Sequence, residues 1–344
     1  MRRILLVKPC CIGDVVFATP LLAALRRAFP DAHITWLVNA SIAPVLREHP
    51  HLNAVLEVGD TANPAAPRRL LSFVRQLRRL RADAIFVPDR SRWYSLAALL
   101  AGIPMRVGLD SNGRGFAYTH RATTRPEIVR HEAEIYLDLA RLLNIPTDGL
   151  WAFVPPTAQA SARAEQVLHE ARLAHGGYLM VHPGGGVNVG MRMIEKRWAA
   201  ENFAALAERL ADRLSAQIAV IGAASDREAV ARFKAALTRP CHDWSERFSL
   251  TEIAALAARA ALYIGNDSGV GHLAAAAGAK VLMIFGPSDP RRYAPFTPPT
   301  QARYAWRPVA LPQGGVAGGA PRAFDWARDG VSVDEAFAVA CALC

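Results

Sequence analysis

Residues 261–290 read ALYIGNDSGVGHLAAAAGAKVLMIFGPSDP. Residues 261–265 are an apolar run of strand length. Asn266-Asp267-Ser268-Gly269 is a turn, a helix of small residues follows, and Gly278 closes it. Residues 281–286 are a second apolar run, ending at Pro287-Ser288-Asp289-Pro290. Strand, Gly/Ser turn, helix and strand make a βαβ unit. The start of its helix carries free N–H groups and a partial positive charge, which suit a phosphate. Gly269 lets the backbone approach a ligand, and Ser268 adds a hydroxyl donor. Asp267 and Ser268 can equally be plain helix caps, and a cap residue still orients a turn that meets a ligand. The second half of the chain is therefore expected to bind a phosphorylated ligand.

Upstream of this unit the same rhythm holds. Strands are expected at 178–182 and 217–221, and helices over 200–214, 226–237 and 250–259, so that the βαβ unit completes a parallel sheet. The first half reads alike, with strands at 4–8, 33–38, 54–58 and 84–87. Helices are expected there over 15–29, with Pro20 a candidate break, and over 68–81 and 132–143. Alternation of this kind gives α/β architecture, a parallel sheet with helices on both faces. Pro155-Pro156 marks a linker, dividing the chain into 1–155 and 156–344, two α/β domains with a cleft between them. Residues 295–319, rich in Pro and Gly, read as a long loop, and 333–343 as a closing helix.

Composition narrows the function. A length of 344 residues suits about two domains, and 52% hydrophobic residues are ample for their cores. No apolar run reaches the roughly 18 residues of a membrane span. The basic-then-apolar start at Met1 is too short for a signal peptide, so a cytoplasmic location is expected. Five cysteines, odd in number and scattered, argue against a disulfide framework. Cys10 and Cys11 read as small packing residues in a loop. Cys341 and Cys344 have metal-like spacing but no second pair, and no metal site is expected. The net charge of +10 is uneven: residues 1–155 hold 20 Lys and Arg against 13 Asp and Glu, the remainder 20 against 17. An acidic partner is therefore expected on the first half. Nucleic acid is not, since the basic residues lack interleaved aromatics and no groove-reading motif is present.

Four further stretches carry chemistry. Lys8-Pro9-Cys10-Cys11-Ile12-Gly13-Asp14 follows the first strand, where ligands of open α/β sheets bind. Asp14 reads either as a helix N-cap or as a general base beside Gly13. His182-Pro183-Gly184-Gly185-Gly186 follows the first strand of the second half, and its glycines leave backbone open to a ligand or make a plain loop. Glu195-Lys196-Arg197-Trp198 places two cations ahead of a helix start, which is unfavourable unless an anion offsets them. A diphosphate would, with Lys196 as point charge and Arg197 as fork; a solvated surface pair is the alternative. Ser225-Asp226-Arg227-Glu228 follows another strand, where an acid can accept ribose hydroxyls or complement a helix dipole. Residues 68–81, RRLLSFVRQLRRLR, hold six arginines and no acid. Leu70, Phe73, Val74, Leu77 and Leu80 make its apolar stripe. Such a helix either packs on its sheet or lies on an anionic membrane surface.

In their order along the chain, ILLVKPCCIGDVVFATPLLAALRRAFP, VHPGGG with EKRWAAENFAALAERL, and GNDSGVGHLAAAAGAKVLMIFGPSDP resemble the heptosyltransferase family of GT-B glycosyltransferases, over roughly residues 3–296. The resemblance implies two Rossmann-like parallel-sheet domains facing a central cleft, the first binding the acceptor and the second a nucleotide-sugar. It implies heptose transfer from ADP-heptose to the lipopolysaccharide inner core, with inversion and with no metal or other cofactor. By motif, Asp14 matches the catalytic base, and Gly13 goes with it. Lys196 matches a diphosphate contact, and Asp267, Ser268, Gly269 and His272 match residues lining the donor phosphates. Glu228 and Asp226 stand where a ribose-binding acid is expected. The partners implied are the nucleotide-sugar and an acidic glycolipid; the 68–81 helix, where it lies on a membrane rather than only on its sheet, would meet the inner face of the inner membrane. Ala199 departs from the family's frequent proline after Trp, and nothing after Phe296 matches. A nucleotide-sugar epimerase of the same shape, or a non-catalytic nucleotide-sugar binder, are the alternatives.

Overall fold

Strand pairing repeats itself along the chain. The computed structural model describes residues 1–58, 65–125, 127–188, 191–309 and 324–343, and falls into two units, Met1–Val154 and Pro155–Cys344. The first holds β1 (Arg3–Val7), β2 (His33–Val38), β3 (Ala54–Glu57), β4 (Ala84–Val87), β5 (Met105–Asp110) and β6 (His120–Thr123). They form one parallel sheet in the order β3-β2-β1-β4-β5-β6. The second holds β7 (Tyr178–His182), a short antiparallel hairpin of β8 (Val187–Asn188) and β9 (Met191–Arg192), then β10 (Gln217–Val220), β11 (His242–Asp243), β12 (Leu262–Asn266), β13 (Val281–Ile284) and β14 (Ala302–Ala305). Its sheet runs β11-β10-β7-β12-β13-β14, again parallel. Counted within each unit, both orders are 3-2-1-4-5-6, the Rossmann order. The strand order reverses beside β1 and β4 in the first unit, and beside β7 and β12 in the second. Ligands of such sheets bind at that point, beyond the carboxyl ends of the strands.

The first unit's helices are α1 (Ile12–Ala28), α2 (Ala43–Leu46), α3 (Pro67–Leu80), α4 (Arg92–Leu100) and α5 (Glu132–Arg141). The second unit has α6 (Ala158–Ala171), α7 (Ala200–Leu214), α8 (Arg227–Ala236), α9 (Leu250–Ala257), α10 (Gly269–Ala276), α11 (Pro290–Tyr293), α12 (Trp326–Asp329) and α13 (Val333–Cys341). Alternate strand residues send their side chains to opposite faces. Leu179, Val181, Ile218, Val220, Ile264 and Ile284 meet α7, α8 and α13. Tyr178, Met180, Ala219, Tyr263 and Met283 meet α6, α9 and α10. Both faces are covered, which is why the strands read as unbroken apolar runs. In the first unit Phe73, Val74 and Leu77 of α3 pack with Tyr94, Ala97 and Ala98 of α4 on Leu5, Val7, Ile85 and Val87.

Three expectations are corrected. Pro20 does not break α1, which runs unbroken through it. A proline there cannot donate to the Val16 carbonyl, and the Thr19 hydroxyl donates to that oxygen instead, at 2.8 Å. The loop expected at 295–319 contains β14, which pairs with β13 and ends the sheet; residues 310–319 of it lie outside the described residues, as does Cys344. Cys10 and Cys11 are joined in a vicinal disulfide across a cis peptide bond, rather than packing as separate side chains.

His49 is buried in the first unit. Its Nε2 donates to the Phe153 carbonyl at 2.9 Å and its Nδ1 accepts from the His51 N–H at 3.2 Å. Burial lowers its pKa from 6.5 to about 4, against the opposing pull of the Phe153 bond. The unfolded chain therefore takes up this proton first, and the stability it gives, full above pH 6.5, is lost as the pH falls toward 4. At 1.36 kcal/mol per unit the loss is about 3 kcal/mol. Urea unfolding of the first unit between pH 7 and 4 should show this decline, and His49→Gln should flatten it; an unchanged slope in the variant would refute the assignment.

Candidate active site

The first cluster lies at the carboxyl ends of β1 and β4. Asp14 is the third residue of α1, whose N-cap is Cys11, so Asp14 does not cap this helix. Its carboxylate is held from two sides. Lys8 Nζ stands 3.3 Å from Oδ2, and the Tyr136 hydroxyl donates to Oδ1 at 3.4 Å. About a third of the Asp14 side chain is exposed (35%), whereas Lys8 is buried. Lys8 also donates to Asp89 at 3.2 Å. Burial alone would neutralise Lys8; Asp14, Tyr136 and Asp89 outweigh it and hold the ammonium well above its ordinary pKa. Asp14 is thus a partly exposed carboxylate fixed in place by a buried cation and a phenol. Gly13 precedes it in the first turn of α1. Asp89, Tyr136 and the pairing of Lys8 were not legible from the motif. The available signal was Asp89 itself, an acid just past the end of a buried strand.

The second cluster lies at the carboxyl ends of β7 and β12. The three glycines after β7 prove to be a packing requirement. A Cβ on Gly184 would lie 2.2 Å from Asp226 Cγ, and one on Gly186, at φ +75°, would lie 2.3 Å from the Met193 carbonyl oxygen. Gly185, at φ +97°, passes against Ser268. The loop threads between its neighbours, so the space expected for a ligand beside Gly184 is filled by Asp226. That carboxylate is buried and accepts from His182 Nε2 (3.3 Å), the Gly185 N–H (3.0 Å), the Ala223 N–H (3.0 Å) and Arg197 Nη2 (2.8 Å). Burial pushes its pKa up, but the His182 and backbone bonds prevail and hold it well below the carboxylate range. Arg197 also donates from Nε to the Gly185 carbonyl at 2.8 Å. Arg197 and Asp226 therefore tie loop to loop. Glu228 is the acid of this stretch that stands exposed, in the first turn of α8.

Lys196 and Asp267 meet at 2.5 Å, Nζ to Oδ2. Ser288 Oγ donates to the same oxygen at 2.7 Å, and His272 Nε2 lies 3.4 Å from Oδ1. Burial raises the Asp267 pKa, yet Lys196 and His272 outweigh it and keep the group ionised far below its usual range. Asp267 is buried, while the Lys196 side chain is 18% exposed and stands 5.9 Å from the Tyr293 ring centre. Ser268 caps α10, accepting from the Gly271 N–H at 3.4 Å, and Gly269 is the first residue of that helix. An accessible ammonium beside a helix start is suited to a phosphate. Asn266, read from the sequence only as part of the turn, sews the cluster together. Its Oδ1 accepts from the Trp198 N–H at 2.8 Å, and its Nδ2 donates to the carbonyls of Pro183 and Gly184 at 3.0 and 2.9 Å. Only an amide offers both an acceptor and two donors there.

A family model described as glycosyltransferase family 9 (heptosyltransferase) matches residues 70–306. Lipopolysaccharide heptosyltransferase 2 of Escherichia coli (strain K12) is 27% identical over 310 residues, covering 86% of this chain and 85% of that protein. Among solved structures, a family 9 glycosyl transferase from Veillonella parvula DSM 2008 superimposes with a TM-score of 0.76 at 24% identity, covering 88% of this chain and 85% of its own. The E. coli ADP-heptose lps heptosyltransferase II does so with a TM-score of 0.74 at 24% identity, covering 100% and 98%.

Replacing Asn266 tests the cluster's geometry. Asn266→Ala orphans one buried donor and two carbonyls and should cost about 3 kcal/mol or more in urea unfolding. Asn266→Asp keeps the shape but turns a second set of lone pairs on the carbonyls of Pro183 and Gly184, and should be at least as destabilising. An Asp variant as stable as the parent would contradict the assigned hydrogen bonds.

Proposed function

This chain belongs to glycosyltransferase family 9, the heptosyltransferases of the GT-B fold class, and we propose that it moves a heptose from ADP-heptose to an inner-core sugar of lipopolysaccharide. The observation that carries the reading is Lys196, a partly exposed ammonium held on the buried, ionised Asp267 beside the start of α10. That arrangement fits the diphosphate of a nucleotide-sugar, and the name of the E. coli relative supplies the donor. In this reading the second unit, from residue 156, holds the donor and the first unit, to residue 155, holds the acceptor. Asp14 takes the proton of the attacking acceptor hydroxyl. The hydroxyl oxygen bonds to the anomeric carbon as the diphosphate leaves from the opposite side, so the configuration inverts. Lys196 and the N–H groups at Ser268–Gly271 meet the charge that develops on the leaving diphosphate, a role for which the proposal calls on no metal. Glu228 is the candidate for the ribose hydroxyls. Gly184, Gly185, Arg197, Asp226 and His272 serve by holding the loops that carry these groups. A phosphorylated glycolipid acceptor suits the excess of 20 Lys and Arg over 13 Asp and Glu in residues 1–155.

Peripheral membrane contact belongs to the same proposal. Among the described residues no helix is long and apolar enough to cross a membrane. However, α3 and α4 carry six arginines and no acid. Arg68, Leu71, Arg75 and Arg78 follow one another along one side of α3. Arg78 Nη2 donates to the Leu100 carbonyl at 2.8 Å, which brings the exposed Leu99 and Leu100 beside that row. Exposed leucines among these arginines suit an anionic lipid surface on the cytoplasmic side.

Two experiments test this reading. Asp14→Asn should keep donor affinity and lose transfer by about 100-fold or more, whereas Lys196→Ala should weaken the donor, both read by titration and by product formation with ADP-heptose and an acceptor. Normal turnover by the Asp14 variant would remove the base assignment, and conversion of the nucleotide-sugar without an acceptor would indicate an epimerase. In the second, the protein should co-sediment with phosphatidylglycerol vesicles and not with phosphatidylcholine. Changing Arg68 and Arg75 to Glu should reduce that binding at least about tenfold; equal sedimentation with both lipids would rule out the surface.

A further inference from the structure

The segment from Phe324 to Val331 has no counterpart in the motifs, yet it grips the loop that carries Lys196. The grip is reciprocal. Trp326, the first residue of α12, donates its indole N–H to the Glu195 carbonyl at 2.8 Å. Trp198, two residues after Lys196, donates its own to the Val331 carbonyl at 3.0 Å. Lys196 thus lies in a four-residue stretch bolted at both ends to the same strap.

The Trp326 ring is seated in a slot made by two glycines. A Cβ on Gly286 would lie 2.4 Å from the ring carbon Cζ2, and one on Gly330 would lie 2.3 Å from Cε3. Phe324 closes the slot edge-on, with ring centres 5.1 Å apart. Gly286 stands two residues before Ser288, whose hydroxyl bonds the same Asp267 oxygen that Lys196 takes. One indole therefore touches both chains that converge on that oxygen. The strap itself is anchored: Ser332 caps α13, and Ala336 and Ala340 of α13 lie in the core that α7 helps to build.

We propose that Trp326 is a positioning residue for the donor site, fixing Lys196 over Asp267 so that the ammonium meets the nucleotide diphosphate without first having to be ordered. The proposal rests on the reading of Lys196 as the diphosphate contact. Without the indole N–H the Glu195 carbonyl turns to water and the Lys196 loop loses one of its two bolts. The order that was built in before binding must then be acquired on binding, at the expense of affinity.

The test is a double-mutant cycle on ADP affinity, by calorimetric titration of the full chain carried to saturation in every variant. Trp326→Phe keeps an aromatic ring in the slot and removes the N–H. It should weaken ADP about 3- to 10-fold, the scale of one hydrogen bond. In a Lys196→Ala background the same change should weaken ADP less than about twofold, because the group being positioned is gone. Gly286→Ala, which displaces the ring, should repeat the pattern, so the proposal does not depend on one variant folding. Parental affinity in both single variants overturns it, as does an equal loss with and without Lys196. Parental affinity in Lys196→Ala alone is a separate outcome: it removes the diphosphate reading, and this inference with it, whatever Trp326→Phe does.

Discussion

A carboxylate withdrawn from water must be met by donors or it gives up its charge, and the second unit is organised around two that are met. Asp226 gathers His182 from the end of β7, Gly185 from the glycine loop, Ala223 from the turn after β10 and Arg197 from the loop before α7. Asp267 gathers Lys196, His272 and Ser288. Five chain segments converge because two buried anions need what those segments supply. Asn266 completes the arrangement by satisfying backbone groups that neither carboxylate reaches. The glycines follow from the same constraint. Backbone must come within hydrogen-bonding distance of Asp226, and a side chain at Gly184 would occupy the place of the carboxylate.

The two units share a strand order and differ in what they bury at its reversal. In the first, a cation is buried and the carboxylates around it are partly exposed, with Lys8 held by Asp14 and Asp89. In the second, the carboxylate is buried and the cation reaches solvent, with Lys196 on Asp267. The exposed member decides the chemistry. A presented carboxylate accepts protons, and a presented ammonium receives anions. One backbone plan thereby presents a carboxylate in one unit and an ammonium in the other, by exchanging which partner of an ion pair is withdrawn from water.

What the sequence revealed and what it hid divide along the same physical line. Strands buried on both faces announce themselves as apolar runs, so β1, β2, β4, β7, β12 and β13 were legible. β14, whose Arg303 and Tyr304 are exposed, is not an apolar run and reads as loop. Pro20 suggested a break because a proline's missing donor is visible in the sequence, while its remedy, the Thr19 hydroxyl on Val16, is visible only in three dimensions. Of the candidate site, residues that follow a strand or precede a helix could be found: Asp14, Lys196, Asp267 and Ser268. Their partners could not, since Asp89 and Tyr136 lie 75 and 122 positions from Asp14 in the chain and no local pattern joins them. Arg197 and Asp226 read as ligand contacts because charges beside a loop look available. In the structure they bond each other, a pairing that no local pattern announces.

The pairing of Lys196 with Asp267 is itself informative. Desolvating an ion pair costs about what its attraction returns, and well-packed apolar residues in its place are often as stable or more so. Stability alone therefore gives no reason for this pair. Its geometry does. Asp267 is fixed by Ser288 and His272, so it defines one point in space for the ammonium. Lys196 has three donor protons and its bond to Asp267 requires one. A lysine left to itself would spread its charge over many rotamers and would have to surrender that freedom on meeting an anion. Held at 2.5 Å from a buried carboxylate, it has surrendered it already, in folding. The buried anion thus lowers the lysine's own electrostatic pull on any further anion and in exchange fixes where that pull is exerted. In the proposed reading, that exchange suits a charge that appears at one place, on a leaving group during the reaction, better than a charge that merely needs to be held.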